Sequence, residues 1–359
     1  MFKSEIFIEE RRVALDEPTY FIADIAANHD GDLARARDLI HLAAEAGADA
    51  AKFQHFKAET IVSDHGFKAL GSQLSHQNRW EKSVFDTYQA ASLNLSWTTA
   101  LQKTCRQAGI HFMTSPYDLN LVDSLDPYLP AFKIGSGDIT FLQIIEHIAQ
   151  KGKPILLACG ASTMADIERA LAAIKKYITE VVLMQCNTNY TGILDNYKYI
   201  NLNVLSTFKN KFPGLILGLS DHTPGHVSTL GAIALGARVI EKHFTDDTSR
   251  TGPDHSFSMT PKTWLEMTQR SRELEQALGD GVKRVEANEL ETIVLQRRCL
   301  RAVKNLSKDK RLTAEHVEAL RPAPQGALEP HQINEILGGK LIVRKQRGDA
   351  IFPEDIKHA

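Results

Sequence analysis

The chain has 359 residues, of which 43% are hydrophobic and 24% charged, the balance of an ordinary folded protein rather than a disordered one. Its 42 basic and 44 acidic residues leave a net charge of −2, which provides no global field for nucleic acid or an anionic membrane, so any phosphate must be bound locally. Residues 1–17 break their apolar positions with charges, and no apolar run reaches the roughly 18 residues of a membrane span; a cytoplasmic protein without membrane or nucleic-acid partners is expected.

At about 150 residues per domain, the length predicts two domains, or one large barrel with a small appendage. Short β-branched or apolar runs recur, each followed by a stretch with helical periodicity. They predict strands over 20–28, 50–56, 111–118, 131–137, 154–160, 181–187, 216–222 and 239–245. Between the first two, Leu33, Ala36, Leu39, Ile40, Ala43 and Ala44 share one face, with Asp32 as N-cap and Gly47 as stop. After the fifth, Thr163 caps a helix that aligns Ile167, Leu171 and Ile174. Repeated βα units ending near Gly279 predict an α/β chain built as a (β/α)8 TIM barrel of about 250 residues. The alternative, an open doubly wound sheet, calls for a glycine-rich dinucleotide turn after the first strand, and residues 26–31 do not form one.

Domain boundaries are accordingly expected at 1–280 for the barrel, 281–297 for a charged linker with some helix, and 298–359 for a second unit. Within the last, residues 303–317 echo 343–356, which predicts two similar β-turn units folded together.

In a barrel of this kind the active site lies at the C-terminal ends of the strands, and here those ends are polar. His222 and His243 end neighbouring strands, so both imidazoles can reach one ion; two histidines with open positions suit Mn²⁺ or Mg²⁺, while two hydrogen-bonded barrel histidines are the plainer reading. Lys52 and Lys133 stand where aliphatic side chains normally line a barrel. They can clamp phosphate and carboxylate, or one can form a Schiff base, or each can snorkel outward or pair with a carboxylate. The run from Lys133 to Asp138 sets backbone amides beside a lysine and the Ser136 hydroxyl, an anion nest or simply a tight strand-to-helix turn. Asp24 and Asp254 are either acid–base groups or turn caps. Four widely spaced cysteines, Cys105, Cys159, Cys186 and Cys299, read as reduced, buried thiols.

Six ordered motifs carry a closer resemblance: Asn28 to Asp32, Gly47 to Gln54, Lys133 to Asp138, Ser220 to Thr223, Glu241 to Phe244, and Gly252 to His255. Together they resemble the N-acetylneuraminate (sialic acid) synthase family, and the tail from Arg297 through Arg321 and Pro322 to Asp355 is similar to that family's antifreeze-like SAF domain. The resemblance covers essentially the whole chain and implies a barrel followed by a small β-rich SAF (β-clip) domain that closes over the partner subunit in a swapped homodimer. It implies that His222 and His243 ligate a divalent metal beside Glu241, and that Lys52, Lys133, Ser136, Asn189 and Ser220 hold phosphoenolpyruvate. Gln54, Tyr190 and Asp254 then face an amino-sugar aldehyde, and Arg321 meets its acyl-amino group. The implied activity is a metal-assisted condensation of phosphoenolpyruvate with N-acetylmannosamine or a related N-acylated hexose, releasing phosphate, with Asp24 handling the water or its proton. The acceptor itself is not legible, although residues 63–94, including His76, Gln77, Asn78, Arg79 and Trp80, are expected to form a lid.

Two departures stand out. Asp24 occupies a position where the family commonly has glutamate, and Ala158-Cys159-Gly160 stands where many members have Ser-Thr-Gly. Two other readings compete: a Schiff-base aldolase using Lys52 or Lys133, and a non-catalytic saccharide-binding protein that kept the barrel.

Overall fold

The computed structural model describes residues 2–72 and 75–358, the side chains of residues 75 and 79 excepted. An antiparallel hairpin, β1 (Glu5–Ile8) and β2 (Arg11–Ala14), comes first. Eight parallel strands follow: β3 (Tyr20–Asp24), β4 (Ala50–His55), β5 (His111–Pro116), β6 (Phe132–Ile134), β7 (Ile155–Ala158), β8 (Val181–Cys186), β9 (Ile216–Asp221) and β10 (Ala237–His243). Their order is β5-β4-β3-β10-β9-β8-β7-β6, and the two outermost, β5 and β6, lie against each other. The first barrel strand thus pairs with the last, as a barrel requires and an open doubly wound sheet does not.

All eight expected strands are present, but they end earlier than the apolar runs suggest. The first stops at Asp24 rather than residue 28, because the Asp24 carboxylate accepts the Ala26 N–H at 3.2 Å and Ala26 turns to φ 45°. The fourth stops at Ile134, where Ser136–Asp138 wind into a 3₁₀ turn. Helix Leu33–Glu45 starts on Asp32, whose side chain accepts from Ala34 N–H at 2.8 Å. Thr163 and Asp166 cap helix Met164–Lys175 reciprocally.

Two apolar layers hold the barrel. One lies between strands and helices and includes Phe21, Phe53, Phe132 and Trp264. The other fills the lower lumen with Ile22, Met113, Leu156 and Val182, and the hairpin adds Ile6, Ile8 and Val13 to it. This plug at the N-terminal mouth was not among the expected elements; buried Ile6 and Ile8 alternate with exposed Glu5 and Phe7, and the apolar Phe7 blurs the period-two pattern in sequence. It leaves the opposite mouth for the charged side chains. Among the described residues no helix is long and apolar enough to cross a membrane, and all four cysteines are free and buried.

The chain divides into two compact units, Met1–Gly279 and Asp280–Ala359. In the second, a short helix (Leu290–Gln296) precedes two antiparallel pairs. The first joins β11 (Cys299–Ala302) to β12 (Val317–Leu320), and the second joins β13 (Lys340–Leu341) to β14 (Ile356–Lys357). Each pair encloses a turn and a 3₁₀ segment, Ala314–His316 or Pro353–Asp355, so the internal repeat seen in the sequence is a structural one. Leu300, Leu312, Val317, Leu341, Ile351 and Ile356 share a single core drawn from both copies.

Ile8→Ala is expected to lower the stability of the barrel by about 2–5 kcal/mol through the cavity it opens; an unchanged urea midpoint would show that the hairpin is not a plug. His55 is buried between Thr114 Oγ1 at 2.8 Å and Thr98 Oγ1 at 3.3 Å, and burial lowers its pKa from 6.5 to about 4. Between those values the unfolded chain binds the extra proton, so stability falls as pH drops through that window. Melting temperatures taken from pH 7 to 4 should decline less steeply in His55→Gln than in the wild type; identical slopes would remove His55 as a source.

Candidate functional site

At the C-terminal mouth, inward positions of the strands converge on a cavity of about 450 Å³. Lys52 from β4 and Lys133 from β6 are each 2% exposed. Neither snorkels outward. Lys133 Nζ donates to Glu241 Oε1 on β10 at 3.0 Å, and Lys52 Nζ lies 3.8 Å from the same oxygen. Lys52 also donates to Asp24 Oδ2 on β3 at 2.6 Å, an oxygen that accepts from Gln54 Nε2 at 3.0 Å. Ser220 Oγ on β9 donates to Glu241 Oε1 at 3.2 Å, while Glu241 Oε2 is buried with no hydrogen-bond partner among the described residues.

This arrangement sets the charges. Burial favours a neutral Glu241, but Lys133 and Lys52 outweigh it and hold the carboxyl at about 2. Burial lowers the Lys52 pKa, yet Asp24 and Glu241 more than compensate and raise it. Asp24 is raised by burial despite Lys52. Asp254, whose Oδ2 accepts the Ala27 N–H at 3.2 Å, is raised by burial to about 7.

His222 directly follows β9 and His243 ends β10; their ring centroids are 5.4 Å apart. His222 Nδ1 donates to the Asn187 carbonyl at 2.9 Å, which leaves Nε2 with a free lone pair. Burial, reinforced for His222 by His243 and for His243 by Lys52, lowers both pKa values to about 3, so both rings are neutral. His243 Nδ1 is buried with no hydrogen-bond partner among the described residues. Its nearest acids are Asp24, 3.7 Å from Nε2, and Asp254, 4.0 Å from Nδ1. Buried neutral imidazoles beside an unpartnered carboxylate oxygen are a donor set that fits a divalent cation. Among the described residues one tighter cluster of three possible ligand residues exists, Glu9, Glu10 and His111, within 4.8 Å. It lies at the hairpin turn and the start of β5, on the opposite mouth, and its two carboxylates are exposed.

Beside Lys133, Ser136 Oγ accepts the Gly160 N–H at 2.9 Å. A Cβ at Gly160 would lie 3.0 Å from Ser136 Oγ and 3.1 Å from Cys186 Sγ, so a side chain there would crowd two residues that line the cavity. Of the two residues that depart from Ser-Thr-Gly, Ala158 lines the cavity, whereas the Cys159 thiol donates to the Met184 carbonyl at 3.1 Å and joins the outer core. Tyr190 forms a wall, its ring 4.3 Å from that of His222 and 4.9 Å from that of His76. His76, Trp80 and Tyr88, from the expected lid segment, cover the cavity; residues 73 and 74 and the Arg79 side chain of that segment lie outside the described residues.

Asn189 stands apart from this group. Its Oδ1 accepts from Thr191 N–H at 3.1 Å, Thr191 Oγ1 at 2.6 Å and Asn196 Nδ2 at 3.2 Å, and it lines a neighbouring depression instead. Arg321 is exposed directly after β12 in the second unit. Sequence reading overlooked Cys186 and Asp138, both lining the cavity. The period-two step from Val182 and Met184, which face the lumen, points to Cys186; Asp138, pushed by burial to about 6, ends the singled-out run from Lys133 but lies on an irregular turn, so no periodicity shows that its side chain lines the cavity. Also overlooked was fully buried His255, which joins Asp30 Oδ1 to Thr245 Oγ1, each at 2.8 Å, and so ties the loop bearing Asp254 to the first barrel loop.

The sequence pattern of the NeuB family matches residues 39–283. N,N'-diacetyllegionaminic acid synthase of Campylobacter jejuni is 34% identical, over 94% of this chain and 99% of its own length. N-acetylneuraminate-9-phosphate synthase of Homo sapiens is 30% identical, over 96% and 94%. The crystal structure of N-acetylneuraminic acid synthetase from Leptospira borgpetersenii, in complex with citrate, superposes with a TM-score of 0.72 at 27% identity, covering 81% of this chain and 96% of that one. With matches of this extent behind it, the chain belongs to the NeuB family.

Proposed function

We propose that the protein condenses phosphoenolpyruvate with an N-acylated amino-sugar aldehyde to give a nonulosonic acid. The observation that carries this reading is the convergence of Lys52, Lys133, Glu241, His222 and His243 on one cavity. Relatives named as legionaminic, pseudaminic and N-acetylneuraminate-9-phosphate synthases support it.

Charge gives the physical reason. Lys52 and Lys133 are offset by Asp24 and Glu241, so a phosphate ester that also bears a carboxylate needs further positive charge. His222 and His243, neutral and facing in, would hold Mn²⁺ or Mg²⁺ there, with Glu241 close by. When bound, such an ion supplies Lewis-acid polarisation of the aldehyde. The chain's own residues do the rest. Lys52 and Lys133 orient the carboxylate and phosphate of the donor, with Ser136 and Ser220 offering hydroxyls beside them. Tyr190, Gln54 and Asp254 form the sugar side, and the aromatic cover limits the cavity's access to bulk water while leaving room for the one water that reacts. A C–C bond then forms between donor C3 and the aldehyde carbon, whose oxygen gains a proton. Water adds at donor C2 and loses one proton to Asp24, which balances the proton gained by the aldehyde oxygen; the C–O bond to phosphate then breaks, and the remaining hydroxyl proton goes to the departing phosphate to leave a ketone and inorganic phosphate. The shorter Asp24 carboxylate already reaches Lys52 and Gln54. We further assign the second unit as the SAF arm, with Arg321 directed at the acyl-amino group of sugar bound in the partner subunit of a homodimer.

A Schiff-base mechanism needs a lysine with a lowered pKa, whereas Lys52 is raised and Lys133 is bonded to Glu241.

Phosphate release from phosphoenolpyruvate should require both an amino-sugar aldehyde and a divalent ion, with a product mass equal to donor plus acceptor plus water minus phosphoric acid. Release that survives chelation, or trapping of a substrate adduct by borohydride, would reject the reading. His222→Ala and His243→Ala are expected to abolish turnover, and Arg321→Ala to raise KM for the sugar with little change in KM for phosphoenolpyruvate; unchanged sugar kinetics would refute the arm assignment. Glu241→Leu leaves the lysines without their shared partner and should cost about 3–5 kcal/mol of stability by thermal or urea unfolding; a variant as stable as the wild type would contradict the charge balance described.

A further inference from the structure

On the face of β9 and β10 turned away from the cavity, the chain buries a second pair of opposite charges. Asp221 and Lys242 stand opposite each other in the parallel ladder, each immediately before one of the two histidines. Each is 2% exposed. The Lys242 ammonium bonds Asp221 Oδ2 and also donates to the Thr223 carbonyl at 2.6 Å. The same carboxylate accepts from Thr223 Oγ1 at 2.7 Å, from Thr223 N–H at 3.1 Å and from Ser228 Oγ at the start of helix Val227–Ala234.

The outward positions one and two rungs earlier, Leu217, Leu219 and Ile240, are plain apolar core. A buried ion pair rarely stabilises a fold more than an apolar pair of equal volume does. What it adds is direction. Lys242 grips both the residue before His222 and the residue after it, so the backbone that carries this imidazole is fixed from each side by the strand that carries the other. The Asn187 carbonyl then sets the rotation of the His222 ring. Two apolar side chains at 221 and 242 would fill the space and leave the angle between the strand ends free to drift.

We propose that the Asp221–Lys242 pair is a positioning device that holds His222 and His243 at the separation and angle needed to share one divalent cation. It rests on the reading that these histidines hold the ion, and it adds two residues that touch neither the ion nor substrate.

The test is direct Mn²⁺ binding by the full chain, followed by calorimetry or electron paramagnetic resonance, alongside the melting temperature. The double variant Asp221→Asn/Lys242→Met removes both charges together; the amide oxygen still accepts the Thr223 N–H and the amide nitrogen can donate to the Thr223 and Ser228 hydroxyls, while the bond from Lys242 to the Thr223 carbonyl is lost. It is expected to bind Mn²⁺ about 10- to 100-fold more weakly while melting close to the wild type. Ser228→Ala, which takes one donor from the carboxylate without unpairing the charges, should weaken binding several-fold and serves where the double variant does not fold. If either folded variant binds Mn²⁺ as tightly as the wild type, the device is overturned while the histidine reading stands. A wild-type chain that takes up no Mn²⁺ would sink the histidine reading and the device with it.

Discussion

Desolvating an ammonium group inside a barrel costs several kcal/mol unless a carboxylate stands within reach, and this chain places two of them in one lumen. Glu241 answers that requirement, with one oxygen bonded to Lys133 and 3.8 Å from Lys52, while Asp24 takes the remaining contact of Lys52. Three features follow from it. The lysines point inward, the carboxylates are drawn from the two strands that meet at the seam, and the His243 ring, neutral through burial, is held so further by the nearby Lys52. A mouth lined by charges of both signs thus arises from one need, that no buried charge be left without its opposite.

Much of this was legible in the residues. Period-two alternation places Lys52 and Gln54 on one face of β4, and Glu241 and His243 on one face of β10, so the polar lining could be read once the strands were known. The histidine pair was foreseeable because adjacent strands end together. Side-chain rotamers were harder. Asn189 satisfies its own turn instead of the cavity, a choice settled by Thr191 and Asn196 nearby, and local backbone competition of that kind leaves no trace in a motif. The hairpin at residues 5–14 went unread because two four-residue strands carry little pattern, although its apolar positions were in view. Asp221 and Lys242 were visible only as polar letters beside the histidines. That they face the helices rather than the lumen follows from register.

The two departures from the family pattern resolve differently. At 158 an alanine faces the cavity, and the hydroxyl common at that position is absent. At 159 the thiol turns into the outer core, so its replacement of threonine concerns packing. Two adjacent substitutions that look alike in sequence therefore act on opposite sides of one strand, and only the first adjoins the Lys133 and Ser136 end of the cavity.

The seam between β3 and β10 has a consequence for how the protein is made. Asp24 emerges from the ribosome with the earliest barrel strand, and its neighbours Glu241 and His243 only with the latest, more than two hundred residues afterwards. Vectorial synthesis completes elements in order, so every growing intermediate carries Lys52 and Lys133 before the carboxylate they share exists. The nascent barrel stays open and hydrated at its upper end until β10 slots in, so the balanced set of buried charges closes in one late step rather than by degrees.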